Sequence, residues 1–145
     1  LCAQNPLDLF VTVCYVVLDP ASGALSYAIG GHNPPLIRRA DGRVEALPAP
    51  DGLVLGVLPE ASFGSGFAQL DGGDQLLLFT DGITEAMDAR HALYGETRLR
   101  DLLAGPLRSP AALVAAIMDS VQAFAGEAPQ SDDITLAVLA RNGQA

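Results

Sequence analysis

The sequence predicts an α+β fold of two packed antiparallel β-sheets flanked by helices. Two observations carry this. Strand-like segments fill the first two-thirds of the chain, and two helical segments and one last strand follow, an order unlike repeated βαβ units. Residues 9–18 and 75–80 are apolar without alternation, the pattern of strands whose sheets are covered on both faces.

Leu9–Leu18 (LFVTVCYVVL) is rich in β-branched and aromatic residues and ends at Asp19-Pro20, before a turn through Ala21-Ser22-Gly23. Ala24–Ile29 forms the next strand and is broken by Gly30-Gly31-His32-Asn33-Pro34. Pro35–Arg39 and Arg43–Leu47 flank Asp41-Gly42, a hairpin signal. The stretch from Pro48 to Pro59 reads as an ordered loop inside the domain, because Leu53, Val54, Leu55 and Val57 punctuate it. Ser62–Leu70 is a weaker strand holding Gly64 and Gly66, and Gln75–Thr80 is an apolar one. Leu99, Leu102 and Leu103 stand at helical spacing in Glu96–Ala104, which Gly105-Pro106 stops. A second helix takes Ser109 as its N-cap and Pro110 as its first residue. Its apolar stripe is Leu113, Ile117, Val121 and Phe124, and Gly126 ends it. Ile134–Ala140 is the last strand. No repeat, low-complexity segment or dividing linker interrupts the chain, so residues 1–145 read as one domain, or a large piece of one.

Half of the 145 residues are hydrophobic and 17% are charged, which excludes disorder. The net charge of −9 disfavours nucleic acid and anionic membrane as partners and favours cations, although acidic residues also serve solubility alone. The two cysteines, Cys2 and Cys14, form no CxxC, and Cys14 lies in an apolar run like a buried thiol. That usage fits a reduced, cytoplasmic setting. The longest apolar run, Leu9–Leu18, is far short of the ~20 residues that cross a bilayer, so no membrane insertion is expected. The first residue is Leu1 rather than Met, which suggests a chain cut from a longer one.

Polar groups gather at three strand ends. In Phe79-Thr80-Asp81-Gly82-Ile83-Thr84-Glu85-Ala86 an apolar strand delivers a carboxylate directly before a glycine. Hard cations such as Mg²⁺ or Mn²⁺ want oxygen ligands, and glycine lets the backbone turn tightly beside the ion. A plain Asp-Gly turn accounts for the same residues. In Gln130-Ser131-Asp132-Asp133-Ile134-Thr135 two adjacent carboxylates repel, and either solvent or a bound cation must offset that. By alternation Asp132 points with Ile134, Leu136 and Val138, and Asp133 points the other way. In Gly30-Gly31-His32-Asn33-Pro34-Pro35, His32 is a ligand, a proton carrier or a hydrogen-bonding strut, the last being commonest in such a turn.

Read together, FVTVCYVVLD, GGHNPPL, Gly56 after an apolar loop, GD-x-LLLFTDGITEA, YGETRL and QSDDITLAVL resemble the bacterial PP2C-like serine/threonine phosphatases of the sporulation-protein-E and stress-regulator type. The resemblance runs from about Leu9 to Arg141, with TDGITEA and SDDIT its most diagnostic pieces. It implies a PP2C-like fold and a site for two Mn²⁺ or Mg²⁺ ions, with Asp81 and Asp132 as metal ligands. Gly82, Asp133, His32 and Asn33 are accessory positions, His32 standing where the wider group often has an aspartate. In that family a bridging metal aspartate and an Asp-Gly pair precede the strand that starts here at Leu9, and residues 1–8 supply neither. The chain therefore reads as the C-terminal portion of the domain with an incomplete metal site, inactive by itself.

The resemblance further implies a water nucleophile acidified by the metals, and no Ser–His–Asp or Cys–His set offers an alternative. The implied partner is a phosphoserine- or phosphothreonine-bearing regulatory protein, of the type that antagonises an anti-sigma factor. A sensor or receiver domain upstream and a dimeric state are also compatible with it. The competing reading is a degenerate phosphatase fold kept as a non-catalytic binding or sensory module.

Overall fold

A computed structural model describes Cys2, Asn5, Leu7 and residues 9–143. Its elements run β1 (Val13–Leu18), β2 (Ala24–Gly30), β3 (Leu36–Arg38), β4 (Val44–Ala46), β5 (Gly66–Gln69), β6 (Gln75–Phe79), α1 (Asp81–Thr84), α2 (Gly95–Ala104), α3 (Pro110–Ala125) and β7 (Leu136–Ala140). They form two antiparallel sheets with helices, the α+β architecture expected, distributed over two compact units. The expectation that residues 1–8 hold no metal ligand falls largely outside the described residues, Asp8 among them.

The first unit comprises residues 1–34 and 46–70 and holds the sheet β1-β2-β5. Alternation in β2 buries Leu25, Tyr27 and Ile29, and the Tyr27 hydroxyl donates to the Pro48 carbonyl at 2.8 Å, which ties the Pro-rich loop to the sheet. The run 9–18 departs from its reading. The strand starts only at Val13, while Val11 makes a separate two-hydrogen-bond bridge to Leu55. One face of β1 is open, with Tyr15 64% and Val17 47% exposed, and Phe67 of β5 is 79% exposed in line with Val17 across Ser26. The physical reason is that an unbroken apolar run reports hydrophobicity, not what covers each side. Cys14, on the other face, is half-buried, and burial pushes its thiol above the ordinary range.

The second unit comprises residues 35–45 and 71–145, with the sheet β4-β3-β6-β7. Here the two-faced reading holds: Gln75, Leu76, Leu77 and Phe79 of β6 are all buried. Register sets Leu36 against Leu77 and Val138 against Leu77 on its other side, so one row of side chains crosses three strands. This row packs into a core completed by Leu99 and Leu103 of α2 and Leu113, Ile117 and Val121 of α3. Helix ends follow their signals. The Ser109 hydroxyl accepts the Ala112 amide at 3.3 Å with Pro110 as first helical residue, and Gly126 closes α3 with φ of 60°. Tyr94 packs edge-on against Phe124 at 5.5 Å and shares a 2.8 Å hydrogen bond with Ser120, locking the α2 entry to α3. Among the described residues no helix is long and apolar enough to cross a membrane.

Candidate metal centre

Strand β6 has an aspartate near each end, and the structure treats them oppositely. Asp74 precedes the strand, is 3% exposed, and accepts from Arg39 Nη1 at 2.8 Å and from the Ala40 and Asp71 amides at 2.9 and 3.0 Å. Burial pushes its carboxyl up, but the Arg39 guanidinium and the two amides outweigh burial and hold it below the usual carboxylate range. Asp74 is a strut. Asp81 follows the strand across Thr80, is exposed, and its carboxylate takes no hydrogen bond or ion pair among the described residues.

The segment after β6 is more than an Asp-Gly turn. It winds into the single helical turn α1, closed by Glu85 N–H to Asp81 O at 2.7 Å and Ile83 N–H to Thr80 O at 3.2 Å. Ile83 is fully buried and drives the turn into the core, so Asp81 is held at the rim by packing rather than by its own side chain.

The second acidic pair lies against this turn. Asp133 N–H donates to Asp132 Oδ1 at 2.7 Å, which offsets part of the repulsion between the two carboxylates. The alternation Ile134, Leu136, Val138 does not reach Asp132, because β7 begins at Leu136 and Asp132 sits in a bend; both acids are exposed. Thr80 then laces the segments together. Its hydroxyl donates to Asp133 O at 3.0 Å and accepts the Thr135 amide at 2.9 Å, and its own amide donates to Thr135 O at 3.0 Å. Ser131 Oγ adds a bond to Glu85 O at 3.2 Å. The approach is so close that a Cβ on Gly82 would stand 2.4 Å from the Asp133 carbonyl oxygen, a distance real Cβ atoms do not adopt. Only glycine fits there.

Asp81, Gly82, Asp132 and Asp133 are thus brought to one edge of the second unit. His32 and Asn33 belong to the first unit. There the half-buried His32 ring lies 3.0 Å from the Asn33 carbonyl, which can only accept, so Nδ1 carries the proton and Nε2 keeps its lone pair in the neutral ring. Sequence reasoning missed Thr80, Ser131 and Thr135 as members of the site. The available signal was a lone hydroxyl ending an otherwise apolar strand.

The donor set suits a hard divalent cation: two exposed carboxylates on separate segments, one with no competing partner, and a glycine that lets the segments meet. Among the described residues no group of three or more His, Cys, Asp or Glu side chains converges.

The family model of Stage II sporulation protein E (SpoIIE) matches residues 1–142. Protein IcfG of Synechocystis sp. (strain ATCC 27184 / PCC 6803 / Kazusa) is 28% identical over 139 residues, covering 96% of this chain and 22% of that protein. Among solved structures, the RsbU and RsbW domains of Rv1364c from Mycobacterium tuberculosis match with a TM-score of 0.73 at 25% identity, over 99% of this chain and 39% of that one. The SiaA-PP2C domain of Pseudomonas aeruginosa matches with 0.75 at 23% identity, over 89% and 51%. The phosphatase domain of the cell fate determinant SpoIIE from Bacillus subtilis, Mn presoaked, matches with 0.72 at 22% identity, over 92% and 57%. The last two similarities establish the PP2C phosphatase fold. The chain spans about a fifth of the curated relative and between about two-fifths and three-fifths of these solved chains.

Proposed function

The chain belongs to the Stage II sporulation protein E (SpoIIE) family, and from that premise we propose that it forms part of a phosphoprotein phosphatase domain whose Asp81 and Asp132 bind Mn²⁺ or Mg²⁺. Residues 1–145 then belong to one partial domain. The substrate is a phosphoserine or phosphothreonine on a cytoplasmic regulatory protein of the anti-sigma-factor-antagonist type, which gives the protein a role in signalling. The observation that carries this reading is the contact between Gly82 and the Asp132–Asp133 peptide, which sets two carboxylates from separate segments at one edge.

Bound divalent cations supply positive charge for the phosphoryl oxygens and acidify water. The chain's own residues have supporting tasks. Asp81 and Asp132 hold the cations, and the buried Ile83 fixes where Asp81 stands. Thr80 and Ser131 keep the two acidic segments in register through the bonds to Asp133, Thr135 and Glu85. His32 ties its own turn through Asn33.

The test is Asp81→Asn and Asp132→Asn in the encoded protein, assayed for phosphate release and for Mn²⁺ binding by calorimetry. Each swap removes a ligand charge from an exposed position. Turnover should fall by about a hundredfold or more, with stability within about 0.5 kcal/mol of the parent. Asp133→Asn should be milder. Wild-type activity and Mn²⁺ affinity in the Asp132 variant would exclude the assignment.

A further inference from the structure

A cavity of about 360 Å³ opens beside the candidate metal centre, between α1, the C-terminal half of α3 and the segment from Gly126 to Ile134. Two of its lining residues are sequence neighbours of the proposed ligands: Gly82 follows Asp81, and Ser131 precedes Asp132. It therefore begins within one residue, about 4 Å of backbone, of each carboxylate. No lining residue is charged, in a chain of net charge −9. Its walls are more apolar than polar, Val121 being buried and Ile134 half-buried, with Gln122, Gln130 and Ser131 among the polar residues. The chain has two methionines, Met87 and Met118, and both line this cavity.

We propose that this cavity is a specificity pocket that takes an uncharged, apolar side chain lying within two or three residues of the phosphorylated residue of the substrate. The proposal rests on the phosphatase reading above and names the substrate sequence class that reading leaves open. Size allows it: 360 Å³ is about a dozen water volumes, near the lower limit of small-ligand pockets, which leaves room for a side chain such as Leu or Met together with the peptide next to it. Charge supports it too. An acidic side chain on the substrate would meet Asp81, Asp132 and Asp133 at the rim, and a basic one, though drawn to that rim, would find no counter-charge within the lining itself. The thioethers add adaptability, because methionine repacks around differently shaped apolar groups at little cost. An extended peptide advances about 3.3 Å per residue, so a phosphoryl group at Asp81 and Asp132 leaves its near neighbours over Gly82 and Ser131.

The two methionines also provide the probe. In the encoded protein labelled at the methionine methyl carbons, phosphoserine peptides flanked by leucine or by aspartate are titrated in the presence of diamagnetic Mg²⁺, and phosphate release is followed separately with Mn²⁺. We expect the Met87 and Met118 methyl resonances to move with the leucine peptide and not with the aspartate peptide. We also expect kcat/KM to favour the leucine peptide by about tenfold, and Ala125→Phe, which fills the cavity, to reduce that ratio to about two. Methyl shifts selective for leucine, with no phosphate release from either peptide, would uphold the pocket while sinking the phosphatase reading. Phosphate release without peptide preference and without methyl shifts would overturn the pocket and leave the phosphatase reading standing.

Discussion

Gly82 shows what a single residue contributes to the candidate centre. Its neighbours are backbone atoms, so an added methyl group cannot be relieved by a side-chain rotation; the Asp132–Asp133 peptide or α1 must move. We expect Gly82→Ala to cost about 1–3 kcal/mol of stability, the range for overpacking a tight contact. Mn²⁺ affinity should fall well beyond what that destabilisation explains, because the shift separates Asp81 from Asp132. Calorimetric Mn²⁺ titration together with thermal unfolding tests this, and an unchanged affinity would show that the close approach is not needed. The acids themselves were legible in the sequence as an Asp-Gly after an apolar strand and a doubled Asp before another. Their lacing was not. Thr80 bonds to residues 53 and 55 positions away, and no local pattern encodes such a partner.

At the scale of elements, turn and cap chemistry made most boundaries readable. Ser109-Pro110 and Gly126 bound α3 as their chemistry requires, and Asp41-Gly42 joins β3 to β4. Two elements were not readable, for different reasons. The helix α1 has four residues, too short to show a helical period, and exists because buried Ile83 pulls the chain inward after Thr80. Strand β5 shrinks to Gly66–Gln69 from the expected Ser62–Leu70, since Gly64 instead bonds to Asp51 through its amide at 2.6 Å. The β3–β4 hairpin is tied to the start of β6 by Arg39, which pairs with both Glu45 and Asp74. Removing the Asp74 charge by Asp74→Asn should cost about 2–3 kcal/mol. The pH dependence has a definite sign. Because the folded-state carboxyl lies below its ordinary value, the Asp74 contribution is complete above the unfolded pKa of about 3.9 and is lost as pH falls through the folded value. Urea unfolding at pH 7, 4 and 2 should show the gap between parent and variant closing at the lowest pH. A gap that stays constant down to pH 2 would mean that packing, not charge, carries the effect.

For the whole molecule, the two carboxylates and the open sheet face lead to one linked prediction about the 145-residue chain studied by itself. A divalent cation completes its shell with water, but a pair of metals needs a ligand that offsets their mutual repulsion. Asp81 and Asp132 offer at most four carboxylate oxygens, and among the described residues no third acidic, histidine or cysteine side chain joins them. The isolated chain should therefore bind Mn²⁺ only weakly and release no phosphate from an aryl phosphate above background. The first unit adds a second consequence. Its sheet has β1 at an edge, and Tyr15, Val17 and Phe67 expose an apolar surface on one side of it. A sheet edge that is unpaired among the described residues and borders apolar side chains is a template for association, so the isolated chain should self-associate. Phe67→Gln removes the most exposed of these residues without touching a buried one, and should shift the equilibrium towards monomer. Sedimentation velocity across a concentration series, with phosphate release measured on the same samples, separates the outcomes. A strictly monomeric parent chain would refute the association. Turnover by monomer or oligomer at a rate near that of the encoded protein would show that two carboxylates from this chain are not the limit of its metal site.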